Sequence, residues 1–111
     1  MKIYLAQFNP IVGDLEGNAK KIQEISLHAF KKSADLVLTP ELSLWGYPPK
    51  DLLFNRSLIK KQNKILNKLS IDIANKFRNL SVIIGIAETI DDNFYPNLYN
   101  SIALIEKGKW S

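Results

Sequence analysis

Apolar and polar residues follow two different rhythms along this chain. From Ile3 to Asn9 (IYLAQFN) β-branched and aromatic residues dominate and Pro10 stops the run, which predicts a strand. From Leu15 the period lengthens. Leu15, Ala19, Ile22, Ile25 and Ala29 recur at helical spacing, with Asp14 as N-cap, and predict a helix to about Lys32. Leu36-Val37-Leu38-Thr39 is a short apolar strand closed by Pro40. Strand, helix and strand in this order make a βαβ unit, with parallel strands and a right-handed crossover. An irregular stretch from Ser43 to Asn55 follows. Ser57 then caps a second helix, whose stripe is Leu58, Ile65, Leu69, Ile73 and Phe77, with Leu66 beside it and Asn79 at its end. Ser81 to Ala87 (SVIIGIA) is a continuous apolar run, as in a strand buried on both faces. Glu88 to Asn97 is a polar loop and Leu98 to Glu106 a fourth strand. Lys107-Gly108-Lys109 forms a hairpin turn, after which Trp110 opens a further segment. The order β-α-β-α-β-β describes an α/β domain that is unfinished.

Composition narrows the function classes. At 111 residues the chain is one domain at most. Its 46% hydrophobic and 23% charged content exclude a disordered or collagen-like chain. There is no cysteine, so a disulfide framework, a thiolate zinc site and a cysteine nucleophile are all absent from these residues. The single histidine, His28, excludes a multi-histidine metal site and falls on a helix surface. Asp91-Asp92 lacks a third ligand and reads as a solvated turn.

The net charge of +4 raises the question of nucleic acid. The lysines, however, fall as pairs on helical stretches (Lys20-Lys21, Lys31-Lys32, Lys60-Lys61), and arginine is scarce, so no nucleic-acid partner is expected. No apolar run approaches the roughly 18 residues of a membrane span. The amino terminus runs straight into strand-like sequence without a signal-peptide pattern. A cytoplasmic protein is expected, with no membrane partner.

Candidate chemistry centres on Glu41. In α/β sheets ligands bind beyond the carboxyl ends of the strands. Glu41 follows the second strand directly, after Pro40 has ended the ladder. Flanked by Leu38 and Leu42, its carboxylate is expected to be partly desolvated, which favours the neutral acid and suits a general base.

The segment Thr39-Pro40-Glu41-Leu42-Ser43-Leu44-Trp45-Gly46-Tyr47-Pro48-Pro49-Lys50-Asp51-Leu52-Leu53 resembles the glutamate segment of the nitrilase, or carbon–nitrogen hydrolase, superfamily. The continuation Gly-Tyr-Pro-Pro-x-Asp-Leu-Leu is narrower and is similar to the glutaminase domain of glutamine-dependent NAD synthetases. Ala6 to Asp14 (AQFNPIVGD), Ile83-Ile84-Gly85 and Leu98-Tyr99-Asn100-Ser101 are similar to the same family, in register over the whole chain.

That resemblance implies the first half of an αββα sandwich, with residues 1–111 an incomplete glutaminase domain. It implies a Glu-Lys-Cys triad in which a thiolate attacks an amide and releases ammonia. Glu41 takes the glutamate's place as general base. The family's lysine and cysteine come after Lys107-Gly108-Lys109, so these residues alone are expected to be inactive. Lys107 and Lys109 are read as turn residues. Tyr47 matches a family tyrosine near the glutamine substrate. Trp45 and Phe54 are read as loop packing, and Asn100 as a structural residue bonding nearby backbone. No cofactor is expected on this chain. ATP and Mg are expected at an absent carboxy-terminal synthetase domain, and there is no phosphate loop here. The complete protein is expected to be a homo-oligomer. The rival readings are a stand-alone amidase or nitrilase and a non-enzymatic α/β module.

Overall fold

A βαβ unit forms where the sequence places it, and the rest of the sheet is added to one side of it. The computed structural model describes residues 1–47, 56–92 and 95–111, of which 89–92 and 95–99 as backbone alone. The elements are β1 (Ile3–Leu5), α1 (Leu15–Lys31), β2 (Leu36–Leu38), α2 (Arg56–Lys76), β3 (Ser81–Asp92), β4 (Tyr95–Glu106) and β5 (Lys109–Trp110). They make a five-stranded sheet in the order β1-β2-β3-β4-β5. The first three strands are parallel, while β4 and β5 are added antiparallel.

α1 begins as its cap dictates. The Asp14 side chain accepts from the Gly17 N–H at 3.0 Å, satisfying a donor the first helical turn leaves open. Leu15, Ile22 and Ala29 of α1 meet Leu66, Leu69 and Ile73 of α2 in one core with Val37, Val82, Ile84, Ile86, Ala103 and Ile105 of the sheet. Both helices therefore cover one face, giving one helix-and-sheet half of a sandwich.

Several boundaries differ from the sequence reading. β1 ends at Leu5, not Asn9, because its partner β2 ends at Leu38 ahead of Pro40; only the Ala6 N–H to Leu38 carbonyl bond prolongs the ladder. α2 begins at Arg56, so Ser57 lies inside the first turn and is not the cap. It stops at Lys76, and Asn79 reverses the chain in the left-handed region at φ 68°. The expected loop at Glu88–Asn97 is mostly ladder, paired as far as Asp92 with Tyr95. Pairing is a backbone property; once Val82–Ile105 and Ile84–Ala103 fix the register, polar residues continue it. Lys107 (φ 52°) and Gly108 (φ 79°) form a two-residue turn with both residues left-handed, so Lys109 belongs to β5 and not to the turn.

The opposite face of the sheet carries Leu5, Leu38, Ile83 and Leu104 in register across four strands, with Ile102 next to Leu104 along β4. Leu5 is 68% exposed and Ile102 62%, whereas Ile83 and Leu104 are half-buried. Ile83 therefore corrects the expectation of a strand buried on both faces. Large apolar side chains gain about 1.5–3 kcal/mol each on full burial. The 111-residue chain is accordingly expected to self-associate as its concentration rises in sedimentation, and the pair Leu5→Ser and Ile102→Ser to return it toward monomer. A strictly monomeric chain with amides protected throughout Leu98–Glu106 would show that this face needs no cover.

Candidate active site

Glu41 stands on a tight turn laid across the open face of the sheet. The turn bends hard at Leu42, whose φ of 48° is costly for a residue with a side chain. Three backbone bonds close it: Ser43 N–H to the Pro40 carbonyl at 3.1 Å, and the Trp45 and Gly46 N–H groups to the Leu42 carbonyl, both at 2.9 Å. Leu42, Ser43, Leu44 and Trp45 are all buried, while Glu41 and Tyr47 at the two ends are exposed. The structure thus brings both candidate residues to the surface on either side of a buried anchor. It corrects the expected desolvation of Glu41: the bend turns Leu42 inward and Glu41 outward, beside a Leu38 that is itself 39% exposed.

The turn is seated on β3 because β2 stops early. Among the described residues no strand lies beside the edge of β3 beyond Leu38, and its backbone groups find other partners. The Ile83 carbonyl accepts from the Thr39 N–H at 3.1 Å and from its Oγ1 hydroxyl at 2.9 Å. The Gly85 N–H donates to Ser43 Oγ at 3.1 Å, and its carbonyl accepts from the Leu44 N–H at 3.2 Å. Thr39 Oγ1 and Ser43 Oγ lie 2.7 Å apart. Since the Thr39 proton goes to Ile83, the Ser43 hydroxyl donates to Thr39, and the relay has one direction from Gly85 through Ser43 and Thr39 to Ile83. Gly85 makes the approach possible. A Cβ there would lie 2.3 Å from Leu42 N, 2.6 Å from the Pro40 oxygen and 2.9 Å from Ser43 N, all of them backbone.

From the other side, Asn18 of α1 ties the turn to the irregular segment that follows β1. Its Oδ1 accepts from the Ile11 N–H at 2.8 Å, and its Nδ2 donates to the carbonyls of Ile11 at 2.8 Å and Leu44 at 2.9 Å. The Gly13 N–H donates to the Trp45 carbonyl at 2.8 Å. Trp45 is fully buried, in keeping with loop packing. Phe54 and the Pro48–Leu53 part of the motif lie outside the described residues, as do the side chains of Asp91 and Asp92.

Asn100 holds the carboxylate itself. Its Nδ2 donates to Glu41 Oε1 across 59 residues of sequence, which corrects the expected bond to nearby backbone. A carboxylate held at one oxygen presents the other for proton transfer. Lys107 and Lys109 are exposed at the other end of β4, about 20 Å along the strand from Asn100. His28 is exposed on α1. Among the described residues no group of three or more His, Cys, Asp or Glu side chains comes together to hold a metal, and no helix is long and apolar enough to cross a membrane.

Sequence reasoning singled out Glu41 as a candidate, passed over Asn18 and Gln62, and gave no role to Gly85. A glycine inside an apolar strand is the trace of a close backbone approach. Asn18 and Gln62 fall on the buried stripes of their helices, where a polar residue must find partners.

Known proteins place this arrangement. A relative described as glutamine-dependent NAD(+) synthetase from Synechocystis is 39% identical over 96% of this chain. One of the same description from Thermotoga maritima is 37% identical over 98%. The chain spans 19% and 18% of these relatives' lengths. A solved glutamine-dependent NAD+ synthetase from Acinetobacter baumannii superposes with a TM-score of 0.82 at 34% identity, over 96% of this chain and 19% of that one. An amidase from Nesterenkonia shares the fold, with a TM-score of 0.76 at 21% identity over 100% of this chain and 40% of its own. The carbon–nitrogen hydrolase family model matches residues 2–110. From its first strand to its last, then, this chain belongs to the carbon–nitrogen hydrolase family.

Proposed function

We propose that the chain is the opening part of a glutamine-hydrolysing domain, which supplies ammonia for the ATP-dependent amidation of deamido-NAD to NAD. Glu41 is the general base of that hydrolysis. The observation that carries the reading is Glu41 itself: a carboxylate at the carboxyl end of a parallel strand, on a turn fixed at both sides, with one oxygen held by Asn100. Relatives described as glutamine-dependent NAD synthetases, at 39% and 37% identity over nearly the whole chain, support the choice of glutamine over other amides. Tyr47, exposed on the same loop, combines a ring and a hydroxyl, which suits contact with a polar substrate.

Glutamine hydrolysis in this scheme proceeds through a thioester. Glu41 takes the thiol proton as the sulfur attacks the amide carbonyl and gives it to the departing nitrogen, so that ammonia leaves and the thioester forms. Again a carboxylate, Glu41 takes a proton from the water that attacks the thioester and returns it to the sulfur as glutamate is released. The chain contains no cysteine, so the nucleophile comes from residues outside these 111, together with the oxyanion-stabilising lysine. ATP and magnesium belong to the synthetase domain of the complete protein, whose chemistry these residues do not carry.

The test is ammonia release. A full-length synthetase carrying this segment is expected to liberate ammonia from glutamine and to convert deamido-NAD to NAD with either glutamine or ammonia. The 111-residue chain alone is expected to release none. Turnover by the short chain that disappears with Glu41→Gln would overturn the division of the triad proposed here. Full-length protein that cannot use glutamine would overturn the function.

A further inference from the structure

Where the Glu41 turn leaves the edge of β3, one side chain from the helix behind the sheet takes over. Gln62 of α2 is 1% exposed. Its Oε1 accepts from the Ala87 N–H at 3.0 Å and its Nε2 donates to the Ala87 carbonyl at 2.8 Å. The carboxamide thus pairs with Ala87 as a peptide group of a neighbouring strand would. The same Oε1 accepts from Trp45 Nε1 at 2.6 Å, at the far end of the Glu41 turn.

Ala87 stands opposite Asn100 in the β3–β4 ladder. Both backbone groups of Ala87 are taken by Gln62, so Ala87 and Asn100 form a pair not bonded to each other, with Cα atoms about 4.5 Å apart and side chains close. Asn100 in turn donates to Glu41. The connections close a ring: Glu41, its turn, Trp45, Gln62, Ala87, Asn100 and back to Glu41. Gln62 is the member that touches both arms.

We infer that Gln62 is a positioning residue for Glu41, fixing through Trp45 where the turn sits and through Ala87 where Asn100 meets the carboxylate. The inference rests on the proposed role of Glu41 as general base. A hydrophobic residue of the same length would fill the volume but leave the Trp45 indole N–H and both Ala87 backbone groups without partners. The turn and β4 would then shift independently, and the carboxylate with them.

The experiment is Gln62→Met in a full-length synthetase carrying this segment, assayed with glutamine and with ammonia. The glutamine kcat is expected to fall about 10- to 100-fold, as displacement of a catalytic group by about 1 Å does. KM for glutamine and the ammonia-driven rate should stay near their original values. Ile73→Val, a truncation on the same helix that leaves the ring intact, serves as the stability control, with assays run at equal distance below each variant's Tm. It is expected to keep the glutamine kcat. In the double variant Gln62→Met with Asn100→Ala, the losses should be less than additive, since both act on one carboxylate. If Gln62→Met does not fold, Trp45→Phe decides: it removes the indole donor, keeps a buried ring, and is expected to lower kcat in the same selective way. Full kcat in the folded variant, or an equal loss in Ile73→Val, overturns the inference. Should Glu41→Gln itself leave glutamine turnover intact, the functional reading falls. Should Glu41→Gln be inactive while Gln62→Met is not, only the role of Gln62 falls.

Discussion

Replacing Glu41 with glutamine, in a full-length synthetase carrying this segment, is expected to remove glutamine-driven NAD formation and to leave ammonia-driven formation largely intact. The substitution keeps size and shape. Its amide oxygen can still accept from Asn100 Nδ2, and the turn's anchors at Ser43, Leu44 and Trp45 do not involve the side chain at 41. What changes is proton affinity: an amide cannot take a proton from a thiol. General-base catalysis contributes about 10²- to 10⁴-fold, so a loss of at least about 10²-fold is expected in the glutamine kcat. Use of free ammonia bypasses that step. The ratio of the two rates is the measurement, because it cancels differences in expression and folding of the synthetase part. Equal loss with both nitrogen sources would make Glu41 a structural residue whose removal disturbs the whole protein.

The sequence disclosed those parts of this arrangement that local periodicity controls. α1 runs within a residue of its expected bounds, because Asp14 and the Leu15–Ile22–Ala29 stripe are both local signals. Glu41 was legible for a different reason: Pro40 ends a short strand, and the residue after it must lie at the sheet's carboxyl edge. The continuation of β3 and β4 past Ala87 was not legible. It depends on backbone pairing between residues such as Asp91 and Pro96, whose side chains argue for a loop. Nor was the partner of Asn100, since a bond spanning 59 residues leaves no local trace. Gln62 and Asn18 are intermediate cases. Both interrupt an apolar stripe, and helical period alone reads such a position as a flaw. Buried polar groups are almost always paired, and the interruption is better read as a question about partners. Here the partners of Gln62 are the Ala87 backbone groups that β2, by ending at Leu38, leaves open on β3, and the Trp45 indole. Those of Asn18 are the backbone groups of Ile11 and the Leu44 carbonyl of the turn.

Gly85→Ala is expected to have an effect out of proportion to one methyl group. Gly85 needs no special backbone freedom: its φ is not in the left-handed region, and an alanine would be acceptable in a strand elsewhere. The constraint is space. The added Cβ would sit 2.3 Å from Leu42 N and 2.6 Å from the Pro40 oxygen, well inside contact distance. Neither atom is the end of a flexible side chain, so the turn must rise or the strand must retreat. Rising breaks the Gly85 N–H bond to Ser43 Oγ and the Leu44 N–H bond to the Gly85 carbonyl, at about 0.5–1.5 kcal/mol each. Overpacking alone costs about 1–3 kcal/mol. Against a total stability of about 5–15 kcal/mol, the sum is a large fraction. The two consequences separate by measurement. Chemical denaturation of the 111-residue chain should show a lower midpoint. The full-length protein should lose glutamine turnover by about 10²-fold if the carboxylate moves by about 1 Å, with ammonia-driven synthesis preserved. Gly108→Ala is the contrast. Its nearest neighbour would be Ala74 Cβ at 3.7 Å, so only the φ of +79° opposes it, and the turn lies at the end of β4 remote from Glu41. It should lower stability without touching glutamine turnover. If Gly85→Ala proves as stable as the original chain and as active with glutamine, the Glu41 turn is not seated on β3 in solution, and the fixed carboxylate on which the general-base assignment depends is lost with it.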